Sequence, residues 1–353
     1  MDLPVLWFGI AVLAWVLFFV LEGFDFGVGF LGPLLGRTEA ERGAAVRTVG
    51  PVWDGNEVWL VAAIGVTFAA FPDWYAALLS GLYLPMIALL LLLAVRGVAI
   101  EFRGKHDTAR WRDRCDAALA LSSLLLAGTW GAVLGVLVSG LALSPGGEVQ
   151  TGGWLGGLGR SLDPLLAPWA VLGGFAGVLL TTVHGATFLA LRTTGVLRQR
   201  ARRLTVATAP ALLVIALALF IAAGHAVVAA AAALLALAAV AAWRRAEVVA
   251  FAATTLAVAG SVVAVFTAHL DLGAGTGAWV LLRSTLGASG DVTLGAAAAS
   301  PGALHLITVA GVVVLPGVIA YQAWSYWVFR RRVTSGPVRP AARRPAPAGR
   351  PAR

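Results

Sequence analysis

The chain has 353 residues, of which 59% are hydrophobic and only 12% charged, and its formal net charge is +9. Soluble domains carry about twice that share of charged residues, so two ordinary soluble domains are excluded. The apolar residues fall in runs of about 20, long enough to cross a ~30 Å hydrocarbon core, and they lack the two-residue alternation of an outer-membrane barrel.

What remains is an all-α polytopic membrane protein of about nine transmembrane helices, which the hydropathy places at 5–31, 55–71, 76–100, 117–142, 165–191, 204–223, 226–243, 247–270 and 303–329. The first span has no basic segment before it and is too long for a signal-peptide core, so it is expected to be retained. It reads WVLFFVLEGFDFGVGFLGPLLG, with Glu22 and Asp25 three residues apart on one helical face. Ionisable groups at membrane depth are costly and are functional candidates by default. Gly23, Gly27 and Gly29 suit close packing that would hold these acids against a neighbouring helix and away from lipid.

The second span follows GPVWDGNEVWL, where Asp54 and Glu57 repeat the same spacing at a helix start. A capping pair, with Asp54 as N-cap and Glu57 at N3, is the bland reading. The alternative places this acidic pair beside Glu22 and Asp25 at the same depth. Arg96 lies about one turn before the end of the third span, where snorkelling to the interface is its expected behaviour and pairing with an acid the alternative. In the fifth span His184 is expected to hydrogen-bond a neighbouring helix rather than bind metal. The sixth and seventh spans meet at Ala223, Gly224 and His225, the weakest point of the count.

The basic residues provide a check. Of the 26, 23 fall in five groups: after span 1, between spans 3 and 4, after span 5, after span 7 and after span 9. These are alternate connections, so the groups share one side only if the count is odd. The positive-inside rule then puts the N-terminus outside and the C-terminus in the cytoplasm. Residues 1–332 form the membrane domain, and the Arg/Pro/Ala-rich stretch 333–353 is expected to be a disordered cytoplasmic tail. Because the arginines flank spans, topology and anionic lipid account for the charge, and no nucleic-acid partner is expected. Cys115 is a lone thiol, and Met86 and the scattered histidines show no complete haem site.

The segments LEGFDFGVG (21–29), GPVWDGNEVWLVAA (50–63), FPDWYAALLSGLYLPMI (71–87), RGVAIEFRGK (96–105), HGATFLALRT (184–193) and YQAWSYWVFRRR (321–332) together closely resemble subunit II of the cytochrome bd-type quinol oxidases. The resemblance implies two four-helix bundles plus a peripheral helix in the bacterial cytoplasmic membrane. It implies a haem-free chain that partners a subunit I carrying haems b and d, in a complex that takes electrons from quinol and reduces oxygen to water. It further assigns Asp25 and Asp54 to a proton path from the cytoplasm, with Glu22 and Glu57 as secondary candidates. A structural quinone and a small single-span accessory subunit are compatible with it. The competing class is a proton-coupled secondary transporter, for which the inverted repeat often seen in such proteins is lacking; a scaffold whose acids are only caps leaves the depth of Glu22 and Asp25 unexplained.

Overall fold

A computed structural model describes residues 2–150, 157–223, 226–269 and 279–334. In chain order the helices are α1 (Leu3–Leu35), α2 (Glu39–Val49), α3 (Trp53–Ala70), α4 (Pro72–Gly81), α5 (Tyr83–Phe102), α6 (Ala109–Ser139), α7 (Gly157–Leu162), α8 (Pro168–Arg192), α9 (Gly195–Ala223), α10 (Ala226–Trp243), α11 (Glu247–Phe266), α12 (Leu294–Ala297) and α13 (Pro301–Val328). A two-stranded antiparallel hairpin, Val280–Leu282 with Val292–Thr293, completes the fold. His225 and the tail residues 335–353 lie outside the described residues.

Helices occupy all nine predicted spans. Six of them (α1, α5, α6, α8, α11 and α13) are long and apolar enough to cross a membrane, and Val227–Trp243 forms a shorter apolar helix. The predicted third span is not continuous. The chain leaves helical geometry at Leu82 (φ −118°, ψ 30°), and Pro85 in the first turn of α5 lacks the N–H that an unbroken helix would donate to the carbonyl of Gly81. Nor does the hydropathy reveal α2, a polar helix capped by Thr38, whose hydroxyl accepts from the Glu41 amide at 3.2 Å.

The first bundle joins α3, α1, α6 and α5, and the second joins α8, α9, α10 and α11 in a closed ring. Packing of α8 on both α1 and α6 unites them. α13 lies outside both bundles, packs on α3 and α1, and buries only Leu304. This is the two-bundle architecture with a peripheral helix.

Without a hydrophobic drive between helices in lipid, close packing must come from small residues. The α1–α8 seam runs through Gly27 and Gly185: a Cβ added at Gly185 would sit 2.6 Å from the Gly27 Cα. On the α6–α8 seam, a Cβ at Gly177 would lie 2.9 Å from the Gly131 Cα. The packing role expected of Gly27 and Gly29 therefore holds; at Gly29 an added Cβ would meet Ser123 of α6. We expect Gly185→Ala to push α1 and α8 apart and lower stability by about 1–3 kcal/mol. The thermal midpoint of the purified protein measures it; an unchanged midpoint would mean that the seam yields freely.

The arginine-rich connections gather at one end of the molecule. Arg103 and Arg42 both bind Asp116, at 2.6 and 2.9 Å, and Arg200 joins Glu41 at 2.8 Å, so ion pairs tie the α1–α2, α5–α6 and α8–α9 connections together. Arg198 holds Glu247 at the α10–α11 connection (2.6 Å), and the Val333 amide donates to the Arg192 carbonyl (2.7 Å), which brings the end of α13 to the same place. Burial works against the charged form of Arg103, but hydrogen bonds and charge from Asp116 outweigh it and raise the guanidinium above its ordinary range. Burial likewise opposes Glu41, but the Arg37 amide and Arg200 hold its carboxyl below the usual carboxylate range.

Candidate functional site

α1, α3 and α5 bring their ionisable residues to one buried point. Glu22 and Asp25, one turn apart on α1, face inward and are 0% and 1% exposed. Arg96 on α5 is also fully buried; its Nη1 lies 2.9 Å from Glu22 Oε2 and its Nη2 3.5 Å from Asp25 Oδ2. Glu57 of α3 reaches the same guanidinium at 3.8 Å and keeps 27% of its side chain exposed. Phe26 lies under the cation, with Arg96 Cζ 5.1 Å from the ring centroid.

This overturns the expectation that Arg96 snorkels. A side chain one turn from a helix end can reach the interface, but three carboxylates on neighbouring helices offer it a partner at depth. Gly97 beside it leaves room for Trp53, whose Cη2 would be 3.0 Å from an added Cβ. The pairing alternative is the one realised.

The capping reading of the second acidic pair also fails. Val52, not Asp54, is the N-cap of α3, and no side chain caps the helix. Asp54 sits within the first turn, where a negative charge suits the helix dipole, and points to the surface. Glu57, one turn deeper, turns toward Arg96. The two acidic pairs are thus graded: Asp54 exposed, Glu57 half-buried, Asp25 and Glu22 enclosed.

Three further residues complete the site. Asn56, the one asparagine in the chain, is fully buried and donates from Nδ2 to Asp25 Oδ2 at 2.8 Å. Its Oδ1 accepts from Gln322 Nε2 at 3.0 Å and from the Tyr326 hydroxyl at 2.7 Å, both on α13. Sequence reasoning passed over all three. The available signal was that Gln322 and Tyr326 stand four residues apart, on one face, in an otherwise apolar span.

Electrostatically the cluster sets one guanidinium against two enclosed carboxylates and a third at its edge. Both Glu22 oxygens, Asp25 Oδ1 and the three Arg96 nitrogens lack aligned hydrogen-bond partners among the described residues, although the charges are in contact. Arg96 with its two enclosed acids carries one net negative charge when both are ionised, and a single proton balances it. That is a chemistry of proton uptake and release.

His184 is separate from this cluster. One ring nitrogen meets the Val20 carbonyl at 3.0 Å and the other the Thr254 hydroxyl at 2.9 Å, and the ring stacks on Phe251. A carbonyl can only accept, so Nε2 carries a proton. The histidine cross-links α8 to α1 and α11, as expected. Met86 instead lines a narrow cleft with Trp15, Trp74 and Trp130.

Residues 3–329 match the family described as "Cytochrome bd terminal oxidase subunit II". The chain is 34% identical to cytochrome bd ubiquinol oxidase subunit 2 of Bacillus subtilis (strain 168) over 346 residues, covering 93% of this chain and 96% of the relative. It is 29% identical to cytochrome bd-I ubiquinol oxidase subunit 2 of Escherichia coli (strain K12) over 362 residues, covering 90% and 91%. Its fold is similar to that of a chain in the solved bd oxidase from Geobacillus thermodenitrificans, with a TM-score of 0.68 and 18% identity, covering 93% of this chain and 99% of that one.

Proposed function

The chain belongs to the cytochrome bd terminal oxidase subunit II family, and on that premise we propose that it is the haem-free subunit of a quinol:oxygen oxidoreductase, conducting protons from the cytoplasm to the haem-bearing subunit I. The observation that supports this most is the graded acid series of Asp54, Glu57, Asp25 and Glu22 around the buried Arg96.

Reduction of oxygen to water consumes protons, and the haems of the partner supply the electron and oxygen chemistry. Asp54 at the surface collects protons, Glu57 passes them inward, and Asp25 and Glu22 hold them where water is scarce. Arg96 makes the enclosed acids tolerable when ionised, and its single positive charge leaves the group able to accept a proton. Drawing protons from the cytoplasm while quinol releases its own outside charges the membrane without a pump.

The exposed apolar faces of α3 and α13, including Val58, Val61, Val309, Val312 and Val313, flank the acid series and suit a membrane-embedded partner. The cleft of Trp15, Trp74, Met86 and Trp130 has room for about one water, roughly 20 Å³, and the indole N–H groups of Trp74 and Trp130 lack partners among the described residues. A structural quinone could bring carbonyl acceptors to them only if the lining side chains moved. A single-span accessory subunit would have to find its place on the remaining exposed helix faces.

Two expected outcomes test the assignment. A reporter fused after Arg332 should be cytoplasmic and one inserted after Gly146 external; an external C-terminus would reverse the direction of the path. The chain expressed alone should be colourless and inactive, whereas co-expression with subunit I should yield a pigmented heterodimer. Stoichiometric haem on the isolated chain, lost on His184→Ala, would refute the haem-free reading.

A further inference from the structure

We propose that Asn56, held by Gln322 and Tyr326 of α13, is a positioning residue that fixes Asp25 with Oδ2 bound and leaves Oδ1 as the oxygen that takes up and releases the proton. The inference rests on the reading of Asp25 as a proton carrier.

The geometry determines the direction of every bond at this junction. Asn56 Oδ1 lies 3.0 Å from Gln322 Nε2 and 2.7 Å from the Tyr326 hydroxyl, and both groups have a proton to give. Rotating the amide by half a turn would bring its NH2 against the donor of Gln322 and its oxygen against the carboxylate of Asp25. The two α13 donors therefore lock the amide, and its NH2 points at Asp25 Oδ2, 2.8 Å away. Arg96 Nη2 approaches that same oxygen at 3.5 Å. Oδ1 is buried and has no hydrogen-bond partner among the described residues. Oδ2 is thus hydrogen-bonded to Asn56 and faces the Arg96 charge, whereas Oδ1 accepts from no described residue.

The arrangement also explains a peculiarity of α13. The helix buries only Leu304, yet its cytoplasmic half turns two polar side chains toward the centre of the first bundle. Polar groups cost free energy at membrane depth unless matched, and Gln322 and Tyr326 are matched by the one asparagine that touches Asp25. Removing either donor alone leaves the other to hold the amide. Removing both frees Asn56 to turn, and Asp25 loses its fixed orientation.

The test uses the assembled complex with subunit I and four variants: Asn56→Ala, Gln322→Leu, Tyr326→Phe and the last two combined. Loss of the hydrogen bond that Asn56 donates to the Asp25 carboxylate, a bond to a charged group, corresponds to about tenfold in rate, whereas loss of one of the two bonds that hold Asn56 leaves that bond in place. We expect each α13 single variant to keep about half of the turnover or more, and Asn56→Ala and the double variant to lose about tenfold in kcat. The KM for quinol and the haem content should stay unchanged, because neither quinol binding nor assembly uses this junction. Infrared difference spectroscopy supplies the second readout: the carboxyl vibration deleted by Asp25→Asn should shift in Asn56→Ala and in the double variant. Wild-type turnover together with an unshifted vibration would overturn the proposal and leave the junction a packing contact. If Asp25→Asn itself turned over normally, the proton-carrier reading would fall, and the vibration alone would decide whether the clamp acts on Asp25.

Discussion

Replacing Arg96 by leucine should abolish accumulation of the assembled complex. Among the described residues the guanidinium is the one cation in contact with Glu22 and Asp25, both enclosed, and it is the centre of the ion cluster. Deleting one partner of a buried ion pair strands the other charge in low dielectric, at a cost of about 3–5 kcal/mol, which is a large part of the 5–15 kcal/mol that holds a typical fold together. The cause can be isolated by compensation. If stranded charge is the fault, Arg96→Leu combined with Glu22→Gln and Asp25→Asn should restore the yield of haem-bearing complex, though not its activity. Arg96→Lys should assemble but turn over slowly, since an ammonium keeps the charge and loses the planar fork. Normal yield of Arg96→Leu would mean that the acids are neutral in the resting protein and that Arg96 is dispensable for folding.

The second large effect is expected at Asp25 and Asp54. Asparagine has the shape of aspartate and fits the same packing, but an amide cannot take up and release a proton. Asp25→Asn and Asp54→Asn should therefore leave assembly and haem content intact while lowering quinol-driven oxygen consumption at least tenfold, the order of effect of removing a proton-transfer group. Asp25→Glu should retain part of the rate. Glu57→Gln should be milder, because Glu57 meets Arg96 only at 3.8 Å, against 2.9 Å for Glu22 and 3.5 Å for Asp25. The structure strengthens the case for Asp54, since Val52 takes the N-cap and leaves Asp54 with no capping bond to make. Full activity of both asparagine variants at normal haem content would make these acids structural and move the proton route to the partner.

The helical spans were legible because a lipid environment writes itself into sequence as long apolar runs with charges between them, whereas their grouping into two bundles came from the family resemblance. The α1 glycines Gly27 and Gly29 were legible for a related reason, since only small residues allow close approach in lipid, but their partner Gly185 and the Gly131–Gly177 seam were not. What escaped were features decided by three-dimensional neighbours. Arg96 reads as a snorkelling residue when measured from its own helix end, and only the packing of α1 and α3 beside α5 gives it Glu22, Asp25 and Glu57. The start of α3 was misjudged by two residues, enough to turn a capping box into a surface acid and an inward one. α2 lacks the hydropathy to register, and the break at Leu82 is hidden within a continuous apolar run. Asn56 was invisible as a site residue because its importance lies in bridging α1 and α13, which are far apart in the chain.

On the proposed function, protons for oxygen reduction enter through Asp54 and Asp25 of this chain. The most direct measurement is the rate of proton uptake at the cytoplasmic face of the complex in sealed vesicles, followed with a pH-sensitive dye after oxygen is added to the reduced enzyme. In Asp25→Asn, oxygen should still bind the haem at the wild-type rate while proton uptake slows at least tenfold, in step with turnover. Proton uptake at the wild-type rate in both Asp25→Asn and Asp54→Asn would contradict the account.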